Sequence, residues 1–198
     1  MARTVIAYIW VCISGCFVNR IGIIANSDFF SAWVEEFYGN SQAEQDMAYH
    51  ASQILFLSGH VLTIPGSFLI GLIADRLRFG ITIPLCFAIS GAFLFCLQFS
   101  HSALGVLTFV CTIGGSLFLV FEVLLLSTLM TKCVPQESKG TLLGLFTWAG
   151  SIGVLVASKA GGALYDIDKN LTFIAAAGVT GVYATVILLM TLCGLFKH

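Results

Sequence analysis

The sequence predicts an all-α integral membrane protein with six transmembrane helices, on three observations. Of 198 residues, 58% are apolar and only 10% charged, against about 45–50% and ~25% in ordinary soluble domains. Mean hydropathy is +0.98. The apolar residues also fall into six continuous runs near the ~20 residues that one membrane helix needs, not the alternating pattern of a lipid-facing barrel. Ten acids and nine bases are too few to coat a water-soluble globule of this size. A net charge of −1 without a basic run excludes a nucleic-acid-binding basic domain, and the composition excludes disorder and collagen-like sequence.

The runs are residues 4–25, 51–74, 81–99, 103–130, 140–164 and 171–196. The first follows Arg3, like a leader, and Ile13-Ser14-Gly15-Cys16 fits a lipoprotein cleavage box. Such a box normally precedes a polar tether, whereas the apolar run continues from Phe17 to Ala25, so it reads as a span. The connections are short except 26–50. There Phe29, Phe30, Trp33, Val34, Phe37 and Tyr38 recur at helical spacing. They read as an interfacial aromatic belt, in preference to a ligand-stacking site, or as a continuation of the first helix. Residues 39–47 read as a polar loop. Pro65-Gly66 in the second run and Pro84 in the third predict local kinks. The fifth run is rich in small residues, including Gly140, Gly144, Gly150, Gly153, Ala157, Gly161 and Gly162, which let helix backbones approach closely.

Cys12, Cys16, Cys86, Cys96, Cys111, Cys133 and Cys193 lie almost entirely in apolar runs. With no CxxC pair and no zinc-like histidine spacing, they read as small buried hydrophobes. An N-terminus on the cytoplasmic side places Arg3, Arg76, Arg78, Lys132, Lys139 and Lys197 inside and only Lys169 outside, which sets the orientation. The long outer connection then carries Asp28, Glu35, Glu36, Glu44 and Asp46 without a base. Asn170-Leu171-Thr172 is an outer glycosylation sequon, too near the bilayer to carry weight.

Gly71-Leu72-Ile73-Ala74-Asp75 ends the second run and Gly162-Ala163-Leu164-Tyr165-Asp166 ends the fifth, ninety-one residues apart. Both read Gly-x-x-x-Asp at the same place in a triplet of helices. Three spans per triplet put them on opposite membrane faces, as an inverted repeat requires. The chain is therefore expected to be a single bundle over 1–198, with 1–100 and 101–198 as its two three-helix repeats.

Four ionisable residues stand inside the runs: Arg20, His60, Glu122 and Lys159. A mid-helix Arg, Lys or Asp costs ~2.5–3.5 kcal/mol on insertion scales, so each marks a candidate site. Arg20 lies about 24 Å beyond Thr4 at ~1.5 Å per residue. With His60 and Lys159 it is expected to form a positive patch at middle to outer depth. Arginine offers a planar fork to phosphate or carboxylate oxygens, and lysine a point charge. His60 titrates near neutral pH, and Glu122, nearer the cytoplasm, is the candidate for carrying a proton. Each also has a plainer reading: Lys159 snorkels to the interface, His60 hydrogen-bonds between helices, and Glu122 is a paired packing residue. Asn19, Gln53 and Trp148 are weaker pocket candidates.

Gly71-Leu72-Ile73-Ala74-Asp75-Arg76-Leu77-Arg78-Phe79-Gly80 resembles the loop motif of the major facilitator superfamily, roughly Gly-x-Leu-Ala-Asp-Arg-x-Gly-Arg-Arg. Here Gly80 comes late and the final basic pair is missing. Pro135, Lys139-Gly140, Gly144, Gly150, Gly153 and Gly161-Gly162 through Asp166 are also similar to that superfamily. The likeness covers nearly the whole chain as one half of a twelve-helix carrier. The fourth run has no arginine and the fifth no proline, so the chain is closer to a C-terminal half. Phe17-Val18-Asn19-Arg20-Ile21-Gly22 and Ile64-Pro65-Gly66 further resemble the organophosphate/phosphate antiporters, in which an arginine matching Arg20 binds substrate phosphate.

The resemblance implies two inverted three-helix repeats, with the first, second, fourth and fifth helices facing a central cavity. It implies substrate binding by Arg20, His60 and Lys159, proton coupling by Glu122, and gating by Gly71, Asp75, Arg76 and Arg78. The expected function is a secondary-transport module for a small solute, with an anion as the preferred class. The alternative is a non-transporting membrane subunit or a truncated pseudo-transporter. Expected partners are the bilayer, the solute, and a second six-helix half or a second copy of the chain, with no nucleic acid and no cofactor. HExxH, GxSxG and an intramembrane aspartate pair are absent from the sequence, so no enzyme is expected.

Overall fold

The computed structural model describes residues 2–38, 41–73, 78–100 and 105–194. Among these residues the chain is helical, without a strand: α1 (Ala2–Ile24), α2 (Phe30–Tyr38), α3 (Gln42–Ile73), α4 (Phe79–Leu97), α5 (Val106–Cys133), α6 (Lys139–Ile167) and α7 (Lys169–Leu192). A π-helical turn, Ala25–Phe29, joins α1 to α2, and a 3₁₀ turn, Gln136–Ser138, precedes α6. Six helical stretches are long and apolar enough to cross a membrane: Val5–Glu36, Tyr49–Leu72, Phe79–Leu97, Val106–Cys133, Gln136–Ile167 and Lys169–Leu192. The chain is an integral, multi-pass membrane protein on this evidence.

The six spans fall where hydropathy places them, but the long connection does not. The first helix continues through the π turn to Tyr38, and α3 already begins at Gln42, so most of 26–50 is helical rather than loop. Hydropathy divides the chain at polar residues, yet Gln, Ala and Glu in the opening of α3 are good helix formers. From Ala2 to Tyr38 the rod is about 55 Å long at ~1.5 Å per residue, well beyond the ~30 Å hydrocarbon core. Part of the aromatic run on it is core rather than interfacial belt. Phe30 and Val34 are wholly buried and Trp33 nearly so, in a cluster with Leu55, Leu94, Leu97, Cys111 and Phe173. Ser27 Oγ donates to the Ile23 carbonyl (2.9 Å) and Ser31 Oγ to the Ser27 carbonyl (2.9 Å), which serves carbonyls where the widened turn disturbs the helical ladder.

Both internal prolines sit within unbroken helices. Pro84 offers no N–H to the Gly80 carbonyl four residues back. Thr191 Oγ1 on α7 lies 2.8 Å from that carbonyl and 2.8 Å from the Ile187 carbonyl, and its one hydrogen serves both. All seven cysteines are free thiols, four of them buried.

The spans pack in a defined set of pairs. α1 lies against α5, α6 and α7; α4 against α5 and α7; α3 against α5; and α6 against α7. α3 and α6 are the least enclosed. One stripe of small residues on α6 explains its close approach to α1. A Cβ on Gly153 would stand 2.5 Å from the Phe17 carbonyl oxygen, and one on Gly150 2.9 Å from Cys16 Sγ. Gly140, Gly144 and Gly162 have open space instead, so only part of the expected small-residue surface is used within the bundle. At the far end, Asp168 caps α7 by accepting from Asn170 N (2.9 Å). The neighbouring Lys169 pairs with Glu36, tying α7 to α2.

Candidate functional site

α1 carries the two residues that organise the polar interior, Asn19 and Arg20. Consecutive residues on a helix point about 100° apart, and these two meet different neighbours. Asn19 is fully buried against α5. Its Nδ2 donates to the Leu119 carbonyl (2.8 Å) and to Glu122 Oε2 (2.8 Å). The other carboxyl oxygen, Oε1, lies 2.5 Å from Ser90 Oγ on α4. Glu122 is thus held at the junction of α1, α4 and α5, and it has no exposure. Among the described residues no lysine or arginine lies within ion-pair distance of it.

Arg20 turns toward α6. The Cβ position of Gly153 is 3.2 Å from Arg20 Cβ, and that of Gly150 is 3.3 Å from Arg20 Nε. The missing side chains of these glycines make room for the arginine on the seam. Cys16 and Arg20 both pack against Gly150. Arg20 is partly exposed, and among the described residues no carboxylate pairs with it. A cation within a membrane span that lacks a counter-charge is costly, and a small oxyanion would offset that cost with charge-assisted hydrogen bonds.

Lys159 does not join Arg20 on the seam. Lys159 lies nine residues beyond Gly150, two and a half turns along α6. It therefore occupies the face opposite the α1 contact, and it is exposed. His60 follows Gly59 on α3, and its side chain lies outside the described residues, as do Asp75 and Arg76. Of the expected gating residues, Gly71 has open space where a Cβ would stand. Arg78 is exposed, and its carbonyl accepts from the N–H groups of Ile81 (2.9 Å) and Thr82 (3.0 Å) at the start of α4. Gln53 and Trp148 are exposed. Glu122 faces packed protein rather than an open vestibule, because Asn19 and Ser90 occupy both its oxygens.

A second polar layer lies two helical turns further along. Asn26 lies seven residues after Asn19, in the π-helical turn that continues α1, and is also buried. Its Nδ2 donates to Ser116 Oγ (2.8 Å) and lies 3.5 Å from the Thr112 carbonyl. The Oδ1 atoms of both asparagines and the Thr112 hydroxyl are buried without a hydrogen-bond partner. The signal is legible as Gly15-x₃-Asn19-x₂-Gly22-x₃-Asn26, a heptad-spaced seam of alternating glycine and asparagine. Gly15 and Gly22 admit Leu126 and Leu119 of α5. A search confined to charged residues passes over it. An apolar groove of about 680 Å³ lies elsewhere, between α4 and α7. Its walls, including Ile81, Leu85, Phe95 and Leu188, are apolar, which suits acyl chains rather than a polar solute. Compared with protein-family models, curated proteins and solved structures, the chain matches none.

Proposed function

We propose that the chain is a secondary-transport module, one six-helix half of a major-facilitator-type carrier, that moves a small oxyanion by alternating access. The observation that carries this reading is the exchange symmetry of the span packing. Swapping the first three spans for the last three turns the α1–α6 pair into α5–α3 and the α4–α5 pair into α7–α1. The same swap maps α4–α7 and α1–α5 onto themselves, and only α6–α7, whose image would be α3–α4, lacks a comparable counterpart among the main pairings of the described residues. Six successive crossings make the matched spans antiparallel, which is the arrangement of an inverted repeat in secondary transporters. Arg20, an unpaired cation in the first span, supports an anionic solute, and Glu122 is the candidate proton carrier. The least enclosed spans, α3 and α6, are second in each triplet and offer the surfaces for a second half or a second copy. Both termini lie on the cytoplasmic side in this reading, with Glu35, Glu36 and Asp46 outside.

Uptake of radiolabelled sulfate or phosphate by the purified chain in liposomes tests it. Uptake is expected, and Arg20→Ala should abolish it; uptake unchanged by Arg20→Ala would remove the anion site. A non-transporting membrane subunit is the second reading, favoured by the divergence of Lys159 from Arg20. Absent uptake together with a stable complex with another membrane protein would support it.

A further inference from the structure

The oxyanion site and the buried carboxyl sit on different faces of α1, joined by one peptide bond between Asn19 and Arg20. Ser90 Oγ lies between two oxygens, Glu122 Oε1 at 2.5 Å and the Phe87 carbonyl at 3.1 Å. A serine hydroxyl has one hydrogen. With a proton on Glu122, Oε1 donates to Ser90 Oγ and Ser90 donates to the Phe87 carbonyl, so both hydrogens are used. With Glu122 ionised, the Ser90 hydrogen must turn to Oε1. Asn19 Nδ2 bonds the other oxygen, and a hydrogen bond to a carboxylate is roughly twice as strong as one to a neutral group.

We propose that Asn19 is a positioning residue that couples the protonation of Glu122 to oxyanion binding at Arg20. Its amide is anchored to α5 at both the Leu119 carbonyl and Glu122. A change in the carboxyl alters the pull on the α1 backbone at residue 19. Residue 20 has no slack to absorb it, because the Phe17 carbonyl and Arg20 Cβ are packed against Gly153. Among the described residues, the titratable groups facing Glu122 are Cys86 on α4 and Tyr183 on α7. Tyr183 is committed to the Val11 carbonyl (2.5 Å), α1 presents the uncharged Asn19, and no base among the described residues pairs with the carboxyl. Proton and anion thus act on opposite faces of one helix, and the coupling rests on the transport reading above.

The test is infrared difference spectroscopy of the full chain in lipid nanodiscs, with inorganic sulfate as the probe. Sulfate does not titrate near neutral pH. Glu122→Gln identifies the protonated carboxyl band of Glu122 by its loss. In the native chain, sulfate should bind saturably and shift that band, and its binding should vary with pH. In Asn19→Leu, sulfate should still bind while the band no longer responds and the pH dependence flattens. Ser90→Ala carries the same expectation and keeps the test open should Asn19→Leu not fold. Arg20→Ala should weaken sulfate binding about tenfold or more and leave the unliganded band in place. A band that responds to sulfate as strongly in both variants as in the native chain overturns the role of Asn19, and so does native binding with no band response. Sulfate binding unaffected by Arg20→Ala is a different failure, one that removes the anion site and the coupling with it.

Discussion

Glu122 depends on its two donors more than they depend on it. Asn19 Nδ2 also bonds the Leu119 carbonyl, and Ser90 Oγ also lies within reach of the Phe87 carbonyl. Stripped of Glu122, both donors keep an acceptor; stripped of either donor, the buried carboxyl keeps an oxygen with none. Asn19→Ala or Ser90→Ala should therefore each destabilise the bundle by about 1–3 kcal/mol. Glu122→Leu, close in volume and without polar atoms, should cost less or stabilise. Thermal unfolding of the purified variants in detergent checks the order. The ionisable residues stand out in the sequence because each interrupts an apolar run. Their direction is not legible, because a rotation of one residue on a helix decides whether a group meets α5, as Asn19 does, or α6, as Arg20 does. Lys159 shows the same limit, since its depth follows from the sequence and its face does not.

Two elements make sharper predictions than composition does. Alanine at Gly153 would push its Cβ into the Phe17 backbone, which cannot swing aside as a side chain would. Gly153→Ala should cost about 1–3 kcal/mol as overpacking. Gly144→Ala meets nothing within 4 Å and should be neutral or gain about 0.5–1 kcal/mol from helix propensity. Both are measured by the same unfolding assay. The second prediction concerns α4 and α7. Thr191→Val should cost about 1–3 kcal/mol by stranding the Gly80 carbonyl, but much less in a Pro84→Ala background, where residue 84 again supplies an N–H. A double-mutant cycle reads the difference. The six spans are legible because twenty apolar residues in a row have few other uses. The π turn, the helical start of α3 and the burial of Phe30 and Trp33 are not, because polar helix beyond the apolar run carries no hydropathy signal and aromatic spacing does not say what it packs against.

At the scale of the molecule, the two Gly-x-x-x-Asp stretches point to a repeat, and the span pairings follow an exchange of the triplets only in part, since the α6–α7 contact has no comparable α3–α4 counterpart among the described residues. Which helices meet is set by side-chain fit across seams such as Gly15, Asn19, Gly22 and Asn26, and a hydropathy profile holds none of that. Orientation is testable directly. With the native cysteines other than Cys193 replaced, an impermeant thiol reagent applied to intact cells should label Met47→Cys and leave Cys193 unlabelled until the membrane is opened; the reverse pattern inverts the topology. The most direct measurement of the carrier itself places a single cysteine at position 20 of an otherwise cysteine-free chain in sealed membranes, labelled from each side in turn. An alternating-access carrier presents position 20 to both compartments, with the rate from each side changed by added oxyanion, while a cysteine at position 122 stays unreactive. A cysteine at position 20 that no reagent reaches from either side, with or without the anion, contradicts transport through this chain.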